Sequence, residues 1–202
     1  MFKLIRFFLL LVLFTGIGEC KQPQLSPKDV KSKIEEILKD HVSHKVISSD
    51  LMKRALQNFL EELDPSKTYF IESEIDKYIN PSESLLSSAL RGYGSGDFSL
   101  FSEIHSLFLK AIERRSLIEE KVSQQTLPKD VKSEEFRDLV WVESEEALQD
   151  RVARIRSLQL EVTAKLEDEI KGKFFQRIEK RRLNREAEFS EQNPEDPDRV
   201  RG

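Results

Sequence analysis

Residues 49–70 read SDLMKRALQNFLEELDPSKTYF, and their first fifteen positions carry an unbroken apolar stripe. Its apolar positions recur three or four residues apart, the spacing that places side chains on one face of an α-helix. These positions are Leu51, Ala55, Leu56, Phe59, Leu60 and Leu63. Pro65 disfavours α geometry in the residue before it, so the predicted helix ends at Leu63-Asp64. A loop over 64–67, an apolar cluster over 69–71 and a short helix over 72–79 are predicted to follow.

Helical spacing continues on both sides of this stretch. Helix starts are predicted at Ser26-Pro27, Ser49-Asp50, Ser82 and Ser144. At each of them a serine that can cap a helix precedes a proline, an acidic residue or the first residue of an apolar pattern. The first helix carries the stripe Val30, Ile34, Ile37, Leu38 and Val42. After Ser82 the predicted buried set is Leu85, Leu86, Ala89 and Leu90, and the glycines at 92, 94 and 96 are predicted to end that helix.

Two longer stripes fill the second half of the chain. Asp97 is predicted to cap a helix with the apolar positions Phe98, Phe101, Ile104, Phe108, Ala111, Ile112, Ile118 and Val122. From Ser144 the pattern is Leu148, Val152, Ile155, Leu158, Val162, Leu166 and Ile170, continued by Phe174, Phe175, Ile178 and Leu183. This spacing suits one seam of a coiled coil or bundle, with a break near Gly172. We therefore predict an all-α fold, a helical bundle with a long C-terminal helix, in which Trp141 in an irregular stretch over 128–141 covers the core.

The first twenty residues have the layout of a secretory signal peptide. Lys3 and Arg6 precede the apolar run FFLLLVLF, and the stretch from Phe7 to Ile17 is too short to span a bilayer as a helix. Cys20 suggests a lipidated N-terminus, but Ile17-Gly18-Glu19 departs from the usual pattern before such a cysteine; otherwise Cys20 is lost or unpaired at the cleavage boundary. We expect a periplasmic protein with a signal peptide over 1–20, a helical domain over 21–189 and a disordered tail over 190–202. Membrane contact would come only through a retained signal or a lipidated Cys20.

Composition excludes some functions and supplies no chemistry. The chain has 202 residues, 35% of them charged, and a formal net charge of -4. An acidic chain is a poor nucleic-acid binder, because affinity for phosphate needs a basic surplus. A single cysteine excludes an intramolecular disulfide framework.

No residue pattern predicts a catalytic, cofactor or metal site. His41 and His44, beside Asp40 on the first predicted helix, have a spacing that can ligate a metal, but only His105 remains as a further histidine ligand, so solvated polar residues are the preferred interpretation. The GYGSGD sequence at 92–97 lacks the lysine and the preceding strand of a phosphate loop and is interpreted as a turn between helices. The glutamate pairs at positions 35–36, 61–62 and 145–146 are interpreted as parts of solvated helix faces.

The last predicted helix carries an unusual basic run. Its cations are Lys171, Lys173, Arg177, Lys180, Arg181, Arg182 and Arg185, against Glu179 alone. RNA or an anionic membrane would be possible partners for such a run in a cytosolic protein. Export makes nucleic acid a poor partner here, and a solvated helix face is the preferred interpretation.

One segment resembles a known family. Residues 59–70, FLEELDPSKTYF, with the later Glu74-Ile75, look like the N-terminal helical domain of the periplasmic tail-specific (C-terminal processing) serine proteases. The resemblance extends, more weakly, over 92–115 (GYGSGDFSLFSEIHSLFLKAIERR), 141–148 (WVESEEAL) and the basic helix near Arg181-Arg182, and covers about residues 45 to 190.

The resemblance implies a role without catalysis. In that family a PDZ domain and a core with a serine nucleophile and a lysine base follow the helical region, which itself frames the protease and contributes subunit contacts. We expect this chain to lack the catalytic parts, so no catalytic residue is transferred, and its partner would be itself or a separately encoded protease fragment. The chain would be a truncated or split protease product or a standing regulator. The alternatives are a periplasmic scaffold or holdase chaperone, and an enzyme of unknown type.

Overall fold

The computed structural model describes residues 26–191, and these residues form seven α-helices and one short 3-10 helix. In chain order the helices are α1 (Pro27–Asp40), α2 (Ser49–Leu63), α3 (Glu72–Ile79), α4 (Glu83–Ser95), α5 (Ser99–Gln124), the 3-10 helix (Ser133–Phe136), α6 (Glu145–Val162) and α7 (Asp168–Glu191). Within this range the structure has no β-strand, and one isolated parallel bridge joins Ile71 to Val142. The predicted all-α fold with a long C-terminal helix is confirmed. The signal peptide predicted over 1–20 lies outside the described residues.

Serine caps begin several of these helices, as the sequence predicts. Ser26 and Asp29 form a reciprocal capping box, in which the Asp29 amide donates to Ser26 Oγ at 3.3 Å and the Ser26 amide donates to Asp29 Oδ2 at 2.9 Å. The hydroxyl of Ser82 accepts the Leu85 amide at 3.2 Å, and that of Ser144 accepts the Ala147 amide at 3.2 Å. Each cap satisfies a backbone donor that the first helical turn leaves free.

The core is built around α2. Its side chains Leu56, Leu60 and Leu63 are fully buried, and α2 packs closely on α3, α4 and α5. Phe59 is partly buried and meets Phe101 of α5 edge to face, with ring centroids 5.4 Å apart, so this stripe packs on the Phe101 face of α5. A second, smaller apolar cluster joins the end of α5 to α6, and its members are Ile118, Val122, Leu148, Val152 and Ala153.

Helix α1 is shorter than its predicted stripe. It ends at Asp40 because His41 is extended, with φ −65° and ψ 137°, and the His41 ring nitrogen Nδ1 accepts the amides of Ser43 and His44. Val42 is 94% exposed, so its assignment to the apolar stripe is wrong, and of that stripe only Leu38 is buried.

The end of α4 and the start of α5 also differ in detail from the predictions. Helix α4 runs through Gly92 and Gly94 and ends at Gly96, whose φ of 78° is the left-handed conformation that glycine favours. Helix α5 begins at Ser99, after Phe98; the Asp97 carboxylate nevertheless accepts the Ser99 amide at 2.8 Å.

The break between the last two helices does not lie near Gly172, where the sequence predicts it. A turn after Val162 separates α6 from α7, where Thr163 takes φ −92° and ψ 0° and its hydroxyl bonds back to the Gln159 carbonyl at 2.8 Å. Gly172 lies inside α7. Helix α7 continues through Glu191, two residues into the segment predicted as a disordered tail. The rest of that segment, 192–202, lies outside the described residues, so the tail stays a prediction.

No helix among residues 26–191 combines the length and the apolar character needed to cross a membrane.

Candidate functional site at the Asp64 loop

The family-like LDPS sequence folds into a loop organised by one buried carboxylate. Asp64 is fully buried at the end of α2. Its Oδ1 accepts the Thr68 amide at 2.8 Å, and its Oδ2 accepts the amides of Tyr69 and Phe70, each at 3.1 Å. The indole Nε1 of Trp141 also donates to Oδ2, at 3.1 Å. One side chain therefore ties the loop after α2 to the irregular stretch before α6.

Lys67 completes this junction in an unusual backbone conformation. Its φ is 53°, its side chain is buried, and its ammonium lies 3.8 Å from the centroid of the Trp141 ring. The ammonium also bonds to the Glu61 carboxylate. The Lys67 carbonyl accepts Arg151 Nη1 at 2.8 Å, and the same nitrogen donates to the Val140 carbonyl at 2.8 Å. The ammonium of Lys67 is thus occupied by a carboxylate and an aromatic face.

A second ion pair fixes the segment that follows. The guanidinium of Arg114 donates to both oxygens of Glu74, at 2.6 and 2.8 Å, and to the Tyr69 carbonyl at 2.6 Å. Burial opposes ionisation of Glu74, but the hydrogen bonds from Arg114 and from the Ile71 amide outweigh it and hold the pKa of Glu74 below its ordinary value. The bidentate geometry is the strong form of an arginine-carboxylate pair.

The C-terminal helix docks on this region through a buried polar contact. The Tyr69 hydroxyl donates to Glu186 at 2.8 Å, and Arg182 donates to the same carboxylate at 2.7 Å. Burial, together with the charge of Glu186, raises the pKa of Tyr69, so the hydroxyl remains a donor. Arg185 donates to the Glu62 carbonyl. Arg185 therefore joins α7 directly to α2, whereas Arg182, whose partners Glu179 and Glu186 lie on α7 itself, supports the Tyr69-Glu186 contact. The interpretation of the whole basic run as a solvated face is wrong at these two positions.

The three histidines are distributed over two places. His41 and His44 follow the end of α1 with ring centroids 5.2 Å apart, not on one helix as the sequence predicts. His105 on α5 bonds through Nε2 to the Phe189 carbonyl at 2.9 Å. Among residues 26–191 no group of three or more histidine, cysteine or acidic side chains is placed to hold a metal ion.

Ser66 and Lys67 of the Asp64 loop bond to other residues and not to each other. Ser66 Oγ lies 2.9 Å from Thr68 Oγ1, while the neighbouring Lys67 ammonium is bound to Glu61. A hydroxyl nucleophile needs a base within hydrogen-bond reach, and no hydrogen bond in the described part of the chain joins a serine hydroxyl to a lysine ammonium.

The sequence identified the LDPS segment and a covering role for Trp141, but the bond between them was missed. The only signal was an aspartate before a proline, which is typical of a carboxylate that accepts nearby backbone amides.

Comparison with known proteins agrees with these motifs. The family model described as the tail specific protease N-terminal domain matches residues 33–199. A search of curated proteins finds no match. The match spans the Asp64 loop, the Glu74-Arg114 pair and the docking of α7. The chain therefore belongs to the tail-specific protease N-terminal domain family.

Proposed function

We propose that this chain is an exported, non-catalytic helical module that works by contacting a protein partner, as the N-terminal region of a tail-specific protease does. The observation that carries the proposal is the family match, which is to an N-terminal domain and extends over residues 33–199. The all-helical character of residues 26–191 agrees with such a module. A truncated or split protease product fits this description, and the periplasm is the compartment that the predicted signal peptide indicates.

The geometry of the Asp64 loop supports a framing role. Its carboxylate, the Lys67 ammonium and the Glu74-Arg114 pair are all used in internal contacts. Hydrogen-bond and ion-pair partners hold these groups in place and so support a rigid frame, and the buried Nε of Arg114 alone in this set has no hydrogen-bond partner. The proposed activity therefore belongs to the outer surface of the bundle.

The proposal is tested by complementation. A PDZ-protease fragment encoded next to this gene is tested alone and in a mixture with purified residues 21–202. An unfolded reporter with an apolar C-terminal tail is added to both. Faster cleavage in the mixture, seen by mass spectrometry, supports the split-protease form of the proposal. If no neighbouring reading frame encodes such a fragment, or if the mixture cleaves no faster than the fragment, that form is contradicted.

A holdase chaperone is the second candidate, and one observation favours it. Several large aliphatic side chains near the turn between α6 and α7 are exposed, among them Val162 and Ile170. Contiguous exposed apolar surface marks interaction sites. Suppression of light scattering by a heat-denatured client protein, lost on Ile170→Asp but not on Ile37→Asp, would favour this candidate over the protease module.

A further inference from the structure

Exposed apolar side chains concentrate in one segment of the chain, from the end of α6 into α7. Among the described residues ten large hydrophobic side chains are exposed, and five of them lie between positions 160 and 183. These are Leu160, Val162, Leu166, Ile170 and Leu183. A soluble domain seldom leaves so many in one short segment unless another surface covers them.

The seam that the sequence predicts explains where this surface comes from. Its first members, Leu148 and Val152, are buried against α5, whereas Val162, Leu166 and Ile170 are exposed. Helix α6 packs closely on α5 and α7 packs closely on α5, but α6 and α7 are not one of the closely packed pairs. The apolar pattern therefore continues past the helices available to cover it.

A groove lies next to these side chains. It has a volume of about 430 Å³, and its lining includes Arg156 from α6 and Phe175, Lys180 and Leu183 from α7. The Arg156 guanidinium lies 5.0 Å from the centroid of the Phe175 ring. The same groove is also lined by Glu179 and by the uncharged polar side chains of Gln176 and Asn184. With two cations against one acid the lining is net positive, so it fits an aliphatic side chain flanked by acidic residues.

The charges of this region divide sharply along the chain. We call residues 160–170 the elbow and residues 171–185 the shaft. The elbow contains four acidic residues and one lysine, a net charge of −3, and the shaft contains seven cations and one glutamate, a net charge of +6. The elbow also carries Leu166 and Ile170, the kind of side chain that the groove in the shaft fits.

We propose that two copies of this chain associate with their α7 helices antiparallel, so that the elbow of one copy lies on the shaft of the other. A two-fold axis makes both contacts equivalent and closes the assembly at a dimer. Leu166 and Ile170 enter the partner copy's groove beside Phe175 and Leu183, and the acidic elbow faces the basic shaft. The parallel arrangement places elbow on elbow and shaft on shaft, where like charges repel. An anionic bilayer fits less well, because the apolar elbow is itself acidic.

Sedimentation velocity over a concentration series tests the association on residues 21–202, which exclude Cys20. We expect a monomer-dimer equilibrium that salt shifts towards monomer, since charge pairs at the rim are screened. The double variant Leu166→Asp with Ile170→Asp should be monomeric throughout, with an unchanged circular dichroism spectrum because both side chains are exposed in the monomer. Ile37→Asp is the matched control: it replaces an isoleucine of α1 that is also exposed, and this variant should dimerise like the parent.

Disulfide trapping tests the orientation. Glu169→Cys and Arg181→Cys are made in separate cysteine-free chains, mixed and oxidised. Antiparallel packing predicts that the mixed 169–181 disulfide exceeds both the 169–169 and the 181–181 products. A parent chain that stays monomeric at its highest soluble concentration would overturn the proposal. So would a dimer that survives the Leu166/Ile170 double variant, dominant 169–169 cross-links, or binding to anionic phospholipid vesicles by a monomeric chain.

Discussion

The indole of Trp141 donates a hydrogen bond of 3.1 Å to the Asp64 carboxylate, across 77 positions of sequence. This bond joins the loop after α2 to the stretch before α6. It also completes the donors around Asp64, since the other acceptor positions are taken by the amides of Thr68, Tyr69 and Phe70.

Removing the Asp64 carboxylate should be among the most destabilising changes in the protein. Asp64→Ala leaves three buried amides and an indole donor without an acceptor, and each unsatisfied group costs about 1 to 3 kcal/mol. We expect a loss of about 3 kcal/mol or more in the free energy of unfolding, measured by urea denaturation. Asp64→Asn should rescue only in part, because its amide oxygen still accepts hydrogen bonds whereas its amide nitrogen opposes a donor on the other side. Asp138→Ala, at an exposed position, is the control and should stay within about 0.5 kcal/mol of the parent.

Acid should weaken the Glu74-Arg114 pair. The folded pKa of Glu74 lies below the ordinary value of 4.5 that holds in the unfolded chain. The stability from this ionisation is therefore fully present above that value and is lost as the pH falls through the folded pKa. Urea midpoints measured from pH 7 to pH 3 should fall less steeply below pH 4.5 in Glu74→Gln than in the parent. If the urea midpoints of the two proteins fall equally steeply below pH 4.5, Glu74 contributes nothing to the pH dependence of stability.

Neighbouring residues on α2 should differ in their cost on truncation. Leu60 is fully buried, so Leu60→Ala should cost about 3 kcal/mol or more, within the usual range of 2 to 5 for a buried leucine. Phe59 is only partly buried against Phe101, so Phe59→Ala should fall below the 3 to 5 kcal/mol of a fully buried phenylalanine. Chemical denaturation of both variants checks the order. A Phe59→Ala protein as stable as the parent would place this ring outside the core.

A substitution inside the end of α7 and a deletion beyond it should differ in their effect on the melting temperature. Phe189 packs edge to face on Phe108, with centroids 5.3 Å apart, so Phe189→Ala should lower the melting temperature by several degrees, at about 2 to 4 °C per kcal/mol for a domain of this size. Deleting residues 192–202 should leave the melting temperature unchanged, as the predicted tail requires. A clear drop on that deletion would show that these residues contribute to the folded domain.

The sequence predicts the helices well because apolar periodicity and serine caps are local signals. Residues 49–63 and 72–79 are helical as predicted, and Leu56, Leu60 and Leu63 form the core. The contacts of Asp64 and Glu186 could not be predicted, because their partners at positions 141 and 69 are distant in sequence and have no pattern that pairs them. The turn at Thr163 was missed for a different reason: the apolar spacing runs through it without interruption, and Gly172 is the stronger local breaker.

Peptide hydrolysis by purified residues 21–202 alone tests most directly whether this chain is a non-catalytic module. An unfolded reporter with an apolar C-terminal tail is incubated with the chain, and its intact mass is followed over time. We predict no change in mass, since Lys67, the lysine next to Ser66 in the Asp64 loop, is bound to Glu61. Cleavage that persists through purification and is abolished by one point change in this chain would contradict the proposed non-catalytic role.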